Sequence, residues 1–181
     1  MKTYFLLLSA SAILFSCSGS ENGEEAEKSV LMQRIDSLEK KMFNRQNLNF
    51  DRTPAFETVK LYMEFAERFP DDSLQCAEYL FRCADLQSAL GEHKNAISSL
   101  NKITLRNYKK YPECIFLQGY YYQEYLKDTV NAKIFYSRLI AEFPEHPFAR
   151  DAKQLLSWMG KSDEEILQMF RGKENTEAKK K

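Results

Sequence analysis

Two apolar helical patterns fill the stretch from Pro112 to Pro144, and they constrain the fold of this chain more than any other feature. A polar turn over 127–129 separates them. The first stripe consists of Ile115, Gly119, Tyr122 and Leu126, and the second of Ala132, Phe135, Tyr136, Leu139, Ile140 and Phe143. Because these residues recur every three or four positions, each set lies on one side of a helix. Neither helix buries such a stripe alone, so the sequence predicts two helices packed as a hairpin.

Two small residues, Gly119 and Ala132, are expected where the helices of this hairpin cross most closely, because neither side chain holds the backbones apart. At these positions the stretch resembles a tetratricopeptide repeat. The residues that carry the resemblance are Ile115, Gln118-Gly119, Tyr122, Ala132, Tyr136 and Pro144. The resemblance implies an all-α fold, a short solenoid of about three helical hairpins.

Earlier segments repeat parts of the same pattern. Thr58, Tyr62 and Pro70 have the same mutual spacings as Ala132, Tyr136 and Pro144, and Leu80, Cys83-Ala84, Ala96 and Leu100 occupy the corresponding positions between them. Gly91 begins a turn over 91–93, where a left-handed residue is easiest to accommodate. We therefore predict a tandem array of repeats over 54–160 with flanking helices that cap its ends.

The N-terminus has the pattern of an export signal. Lys2 precedes a mostly apolar run of 12 residues from Tyr4 to Phe15, too short to span a bilayer as a helix, so residues 1–16 are predicted to be a signal peptide. Residues 14–17 resemble the lipobox of bacterial lipoproteins, which implies acylation of Cys17, for example with palmitate. The alternative is an ordinary secretory signal in which Cys17 is incidental.

Residues 17–28 contain Ser, Gly and Glu but no large apolar side chain, so we predict a disordered tether. Removal of residues 1–16 takes away Lys2 and no acid, which leaves 25 basic and 26 acidic residues. This balance does not favour binding to nucleic acid, which calls for a basic face. The one basic cluster, Lys179 to Lys181, lies in a segment over 172–181 that is predicted to be a disordered tail.

A helix is predicted over 29–43, with Leu31, Ile35, Leu38 and Met42 on one stripe. Its spacing fits a short coiled coil that assembles several chains, but also a helix that packs on the solenoid, and we favour the second interpretation because two heptads are few. At the other end, Ser162 and Glu165 form a capping box for a C-terminal capping helix over 161–171.

No pattern of catalytic or metal-binding residues is evident. Beyond Cys17, the sequence has Cys76, Cys83 and Cys114, which we expect to be buried free thiols, although a disulfide from Cys114 to one of the others is an alternative. His93 and His146 lack partners at metal-ligand spacing. The sequence contains no phosphate-binding loop or nucleophile motif, so we expect neither an enzyme nor a cofactor.

The resemblance also implies where partners bind. In the repeat family, a second stripe on the first helix of each hairpin lines the concave surface on which partner peptides lie. The corresponding residues are Glu78, Phe81, Asp85 and Ser88, followed by Glu113, Phe116, Tyr120 and Gln123. Exposed aromatic side chains among polar neighbours are typical of recognition patches. The alternative is that another helix, such as that over 29–43, covers this face.

These features predict a membrane-anchored lipoprotein that acts as a protein–protein interaction or scaffolding module in the bacterial cell envelope. The arrangement is similar to two envelope families: the repeat-containing lipoprotein of the outer-membrane-protein assembly machine, and the periplasmic division coordinator with a coiled coil before its repeats. That similarity favours the outer membrane and envelope proteins as partners, and it leaves the side of the membrane open. The alternative function is an oligomeric structural protein assembled through the helix over 29–43.

Overall fold

The computed structural model describes residues 20–42 and 51–169, and all regular structure in these ranges is helical. The helices in chain order are α1 (Ser20–Met42), α2 (Arg52–Arg68), α3 (Ser73–Ala89), α4 (His93–Asn101), α5 (Tyr111–Glu124), α6 (Thr129–Glu142) and α7 (Pro147–Trp158). A short helix over 163–169 follows. Each helix packs on its neighbour in the chain, which confirms the predicted all-α solenoid of three hairpins. The predicted signal peptide, Cys17 and the tail over 172–181 lie outside the described residues.

Helix α3 joins two apolar cores. Its buried residues Cys76, Tyr79, Cys83 and Leu86 belong to the core with α1 and α2. Residues between them in sequence, Ala77, Leu80, Phe81 and Ala84, belong to the core with α4, α5 and α6. Because a helix with two apolar faces needs neighbours on both sides, α3 requires the array to extend in both directions.

Helix α1 differs from its prediction in length. It begins at Ser20, so the predicted disorder over 17–28 is wrong for residues 20–28. Lys28 Nζ lies 2.7 Å from Asp72 Oδ2, and Arg68 pairs with Glu27, which ties this part of the helix to the second helix and the turn after it. The apolar stripe that follows nucleates the helix, and residues of good helix propensity extend it towards the N-terminus.

The stripe on α1 is buried within its own chain. Leu31 and Ile35 are 2% and 0% exposed, and they share a core with Phe65 of α2. A coiled coil between chains would need the same side chains, so the structure supports packing on the solenoid. The first hairpin is therefore α1 with α2. The array begins before residue 54, which was its predicted start.

The crossing of α5 and α6 has the predicted small residue at its centre. A Cβ atom on Gly119 would lie 2.7 Å from Cε1 of Tyr136, closer than atoms in van der Waals contact. Tyr136 and Ala132 are fully buried beside it. The turn before α6 ends at Asp128, whose carboxylate accepts a hydrogen bond from the Asn131 N–H at 3.0 Å.

The connection from α4 to α5 interrupts the regular pattern. Helix α4 has 9 residues, whereas α2 has 17 and α6 has 14. Residues 102–110 then cross to α5 without a regular helix. This connection brings the buried ring of Tyr108 against Phe81 of α3, at a centroid distance of 6.4 Å.

The C-terminal helix is present over 163–169, inside the predicted range of 161–171. Its capping box is confirmed, because the Glu165 N–H donates to Ser162 Oγ at 3.3 Å and the Ser162 N–H donates to Glu165 Oε2 at 2.8 Å. Ile166 is half-buried, but Leu167 is 55% exposed. This short helix therefore covers the end of the array only in part.

Ile35→Ala tests the burial of α1. Removal of a fully buried Ile side chain is expected to lower the free energy of unfolding by about 2–5 kcal/mol. Val30→Ala on the same helix is the matched control, because Val30 is 57% exposed and its loss should change the value by less than about 0.5 kcal/mol. Urea denaturation measures both. Equal effects of the two substitutions would mean that α1 is not packed on the array.

Gly119→Ala tests the helix crossing. Overpacking costs about 1–3 kcal/mol and the better helix propensity of Ala returns about 1 kcal/mol, so a net loss of up to about 2 kcal/mol is expected. In a Tyr136→Leu background the ring is gone, and the same change should be neutral or stabilising. A double-mutant cycle by urea denaturation measures this coupling. If the two substitutions changed the free energy of unfolding additively, Gly119 and the Tyr136 ring would not be in contact.

Candidate functional site

The predicted binding residues line one face of the array. Glu78, Phe81, Asp85 and Ser88 come from α3, and Glu113, Phe116, Tyr120 and Gln123 come from α5. The two rows meet at Asp85 and Glu113, whose charges are close enough to interact. Helix α1 borders the same face through Glu39, which pairs with Arg82 of α3. Binding of a partner by these eight residues remains a prediction.

A network of charged groups centres on Glu78. Its carboxylate accepts hydrogen bonds from Tyr108 Oη at 2.7 Å, Lys110 Nζ at 3.2 Å and Arg82 Nε at 2.9 Å. Arg82 Nη1 also donates to Glu39 Oε1 at 3.0 Å. Partial burial opposes ionisation of Glu78, but these three donors outweigh it and lower the pKa of the carboxylate.

Phe81 is not the exposed anchor that the sequence pattern indicated. Its side chain is only 6% exposed, because Tyr108 packs edge-on against the ring and Lys110 Nζ lies 4.6 Å from the ring centroid. Both residues come from or adjoin the irregular connection before α5. Phe81 therefore contributes to the core, together with the buried ring of Tyr108, and Lys110 lies over it.

The aromatic residues on α5 are also engaged by neighbours. The half-buried ring of Phe116 stacks on Phe148 of α7 at a centroid distance of 4.7 Å. Tyr120 packs against Tyr121 and Tyr125 at 6.2 and 5.9 Å. These contacts leave parts of both rings accessible, so they form the sides of the face and do not project from it.

The two polar residues at the end of the rows differ in their contacts. Ser88 Oγ lies 3.4 Å from His93 Nδ1. Gln123 Nε2 donates to Glu124 at 3.0 Å, while its buried Oε1 has no hydrogen-bond partner within the described part of the chain. Both residues are half-buried.

Asp85 is the exposed member of the predicted rows. Although the residue as a whole is accessible, partial burial of its carboxylate raises the pKa to about 6. The negative charges of Glu113 and Glu78 add to this rise, and the positive charge of Lys110 opposes it. Asp85 is therefore a carboxylate held near other carboxylates at the centre of the face.

A groove beside Asp85 was not predicted from the sequence. It has a volume of about 510 Å³ and lies where α1 and α2 meet α3. Its lining residues are Glu39, Met42, Tyr62, Arg82, Asp85, Leu86 and Ala89. We refer to it as the α1–α3 groove. The groove could have been predicted if the helix over 29–43 had been paired with α2 as a hairpin, because that pairing brings Glu39 and Met42 close to α3.

The position of α1 relative to the rows on α3 and α5 bears on whether another helix covers this face. Helix α1 contacts the face at its edge, through the pair between Glu39 and Arg82. It leaves Asp85 accessible and forms one wall of the α1–α3 groove. Helix α1 therefore borders the face beside Arg82 and does not cover Asp85.

The three cysteines of the array are free and buried, so the alternative of a disulfide from Cys114 is wrong. Burial raises the pKa of the Cys83 thiol to about 11 and that of Cys114 to about 12. Thiols of this kind are mostly protonated near neutral pH and react slowly. They belong to the core and not to a functional site.

None of the helices in residues 20–42 and 51–169 combines the length and the apolar composition needed to cross a membrane. In the same residues, His, Cys, Asp and Glu side chains form no group of three or more that is arranged to hold a metal ion.

Asp85→Asn is expected to stabilise the chain in a pH-dependent way. Because the folded-state pKa of Asp85 is raised to about 6, the folded state binds the proton more tightly, and stability from this group falls as pH rises between about 4 and 6. Asparagine removes that loss, so the gain in melting temperature should be larger at about pH 7 than at about pH 4.5. Glu57→Gln controls for net charge. An equal gain at both pH values would contradict the raised pKa.

Comparison with known proteins identifies one segment of the chain. Residues 113–146 match the family model described as Tetratricopeptide repeat. This range runs from the first turn of α5 to the N-cap residue of α7, and so includes α5 from Glu113 onward and all of α6. The search of curated proteins finds no match, and the search of solved structures finds none. The chain thus contains one segment that matches a tetratricopeptide repeat, within a short α-solenoid that is similar to arrays of such repeats.

Proposed function

We propose that this chain is a lipid-anchored protein of the bacterial cell envelope whose solenoid binds or organises other proteins. Tetratricopeptide repeats generally mediate protein–protein interaction, and the α5/α6 hairpin matches that family. The proposed role is one of binding and requires neither a cofactor nor a catalytic group.

The observation that carries the proposal is the α1–α3 groove. Met42, Tyr62 and Leu86 are largely buried core residues that line the groove with apolar atoms, and Arg82 and Asp85 add charged groups to its lining. Concave sites with an apolar lining and a few polar groups are the usual places for an inserted side chain. A groove of about 510 Å³ has room for one or two side chains of a partner, and not for a folded domain.

The proposed anchor is a lipid on Cys17. Its support comes from the sequence: an apolar run over 4–15 that is too short to span a membrane, followed by a lipobox-like tetrapeptide over 14–17. Helix α1 begins three residues after Cys17, so an anchored array would lie close to the membrane surface. We propose the outer membrane as the place of anchoring, because the order of signal, lipobox-like tetrapeptide and repeats in the sequence resembles that of envelope lipoproteins.

Assembly through α1 is the weaker alternative. It would need Leu31 and Ile35 to pack against a second chain, and both are buried against α2 in their own chain. A structural oligomer built on this stripe would have to unpack the first hairpin, with the loss of its core.

Site-specific crosslinking in intact cells tests the binding role. A photoreactive residue in place of Ala89, in the groove, is expected to capture a defined partner, whereas the same residue in place of Ile134, which is 57% exposed on α6, is not. Ala89→Arg should fill the groove, reduce recovery of that partner at least tenfold and leave the melting temperature unchanged.

Ala141→Arg is the matched control, because Ala141 is an exposed alanine on α6, away from the groove. Equal recovery of the partner by the Ala89→Arg and Ala141→Arg variants would contradict binding in the groove.

Anchoring is tested separately with Cys17→Ser. Metabolic labelling with radioactive palmitate should label the protein that has Cys17 and not the Cys17→Ser variant. The variant should also be absent from the membrane fraction. Labelling that persists in the variant would contradict the assignment of Cys17.

A further inference from the structure

The face around the α1–α3 groove has more acidic than basic groups. Its carboxylates are Glu39, Glu78, Asp85 and Glu113, and its cations are Arg82 and Lys110. Both cations are already engaged. Arg82 bridges Glu39 and Glu78 at 3.0 and 2.9 Å, and Lys110 lies 3.2 Å from Glu78.

Asp85 and Glu113 are the carboxylates without an ion pair. In residues 20–42 and 51–169, no Lys, Arg or His nitrogen lies within salt-bridge distance of either one. Their charges repel each other, which adds to the raised pKa of Asp85. A positive charge between them would remove this repulsion, so the pair is complementary to an incoming basic group.

The surface next to Asp85 is mostly apolar, although Glu39 and Arg82 also line it. Leu86 follows it on α3, and Met42 and Tyr62 reach the same groove from α1 and α2. Ala89, one turn after Asp85, has a side chain too small to fill the space. A ligand whose basic group contacts Asp85 would therefore place its adjacent residue in an apolar groove of about 510 Å³.

We propose that the α1–α3 groove binds a segment of a partner protein in which a Lys or Arg stands next to a large apolar residue. The basic group pairs with Asp85 and Glu113, and the apolar side chain enters the groove among Met42, Tyr62 and Leu86. This inference rests on the proposed binding function and adds to it the chemistry of the partner segment.

Fluorescence anisotropy of labelled peptides with the full-length chain tests this chemistry. Three peptides of about ten residues are compared, with two copies of Leu-Lys, Leu-Glu or Leu-Ser in the same Gly and Ser background. We expect the Leu-Lys peptide to bind roughly tenfold or more tightly than the Leu-Glu peptide, because like charges across an interface are unfavourable. Affinities that do not differ between these two peptides would overturn the inference.

Paired substitutions locate the charge effect. Asp85→Asn combined with Glu113→Gln should weaken binding of the Leu-Lys peptide roughly tenfold. Glu57→Gln combined with Glu145→Gln makes the same change in net charge at exposed carboxylates outside the groove, and it should leave the affinity within about twofold. Equal weakening by the two pairs would assign the effect to net charge and overturn the inference.

Ala89→Arg separates this inference from the proposed function. If the Leu-Glu or Leu-Ser peptide binds most tightly and Ala89→Arg abolishes its binding, the groove is a binding site but the inferred charge is wrong. If Ala89→Arg changes no affinity, both proposals fail. Binding of the Leu-Lys peptide only after removal of residues 172–181 would identify the chain's own lysine-rich segment as the occupant, which also overturns a partner protein.

Discussion

The structure depends on the need of each helix to bury an apolar face that it cannot bury alone. Helix α3 shows this most clearly, because one side packs with α1 and α2 and the other with α4, α5 and α6. Burial of a Leu, Ile or Phe side chain contributes about 1.5–3 kcal/mol to stability. Loss of the helices on either side of α3 would expose several such side chains and remove their contributions. The close crossing at Gly119 and Tyr136 permits the same burial in the third hairpin.

The face used for the proposed function is a consequence of this stacking and of one departure from it. Helices α1, α3 and α5 all contribute side chains to this face, which join through the pair of Glu39 with Arg82 and the neighbouring charges of Asp85 and Glu113. The irregular connection over 102–110 then places Tyr108 and Lys110 over Phe81 and Glu78. Among the residues of the two predicted rows, Asp85 is the exposed one, and the α1–α3 groove lies beside it.

The parts of the fold that the sequence predicted well are those with strong helical periodicity. The hairpin from Pro112 to Pro144, its crossing at Gly119 and the burial of the cysteines could all be predicted, because each depends on local pattern and residue size. The start of α1 could not. Residues 20–28 have no large apolar side chain, and distant partners such as Asp72 hold them in place.

The candidate site was predictable only in outline. The rows on α3 and α5 follow from the repeat pattern, but the burial of Phe81 depends on Tyr108 in a stretch without periodicity. The groove depends on α1 as part of a hairpin with α2.

The fold and the groove both require α1 to be an integral helix of the array, and amide hydrogen exchange followed by mass spectrometry tests this most directly. Protection over Leu31–Met42 comparable to that of α2 is the predicted result, whereas exchange there at the rate of an unstructured peptide would contradict it.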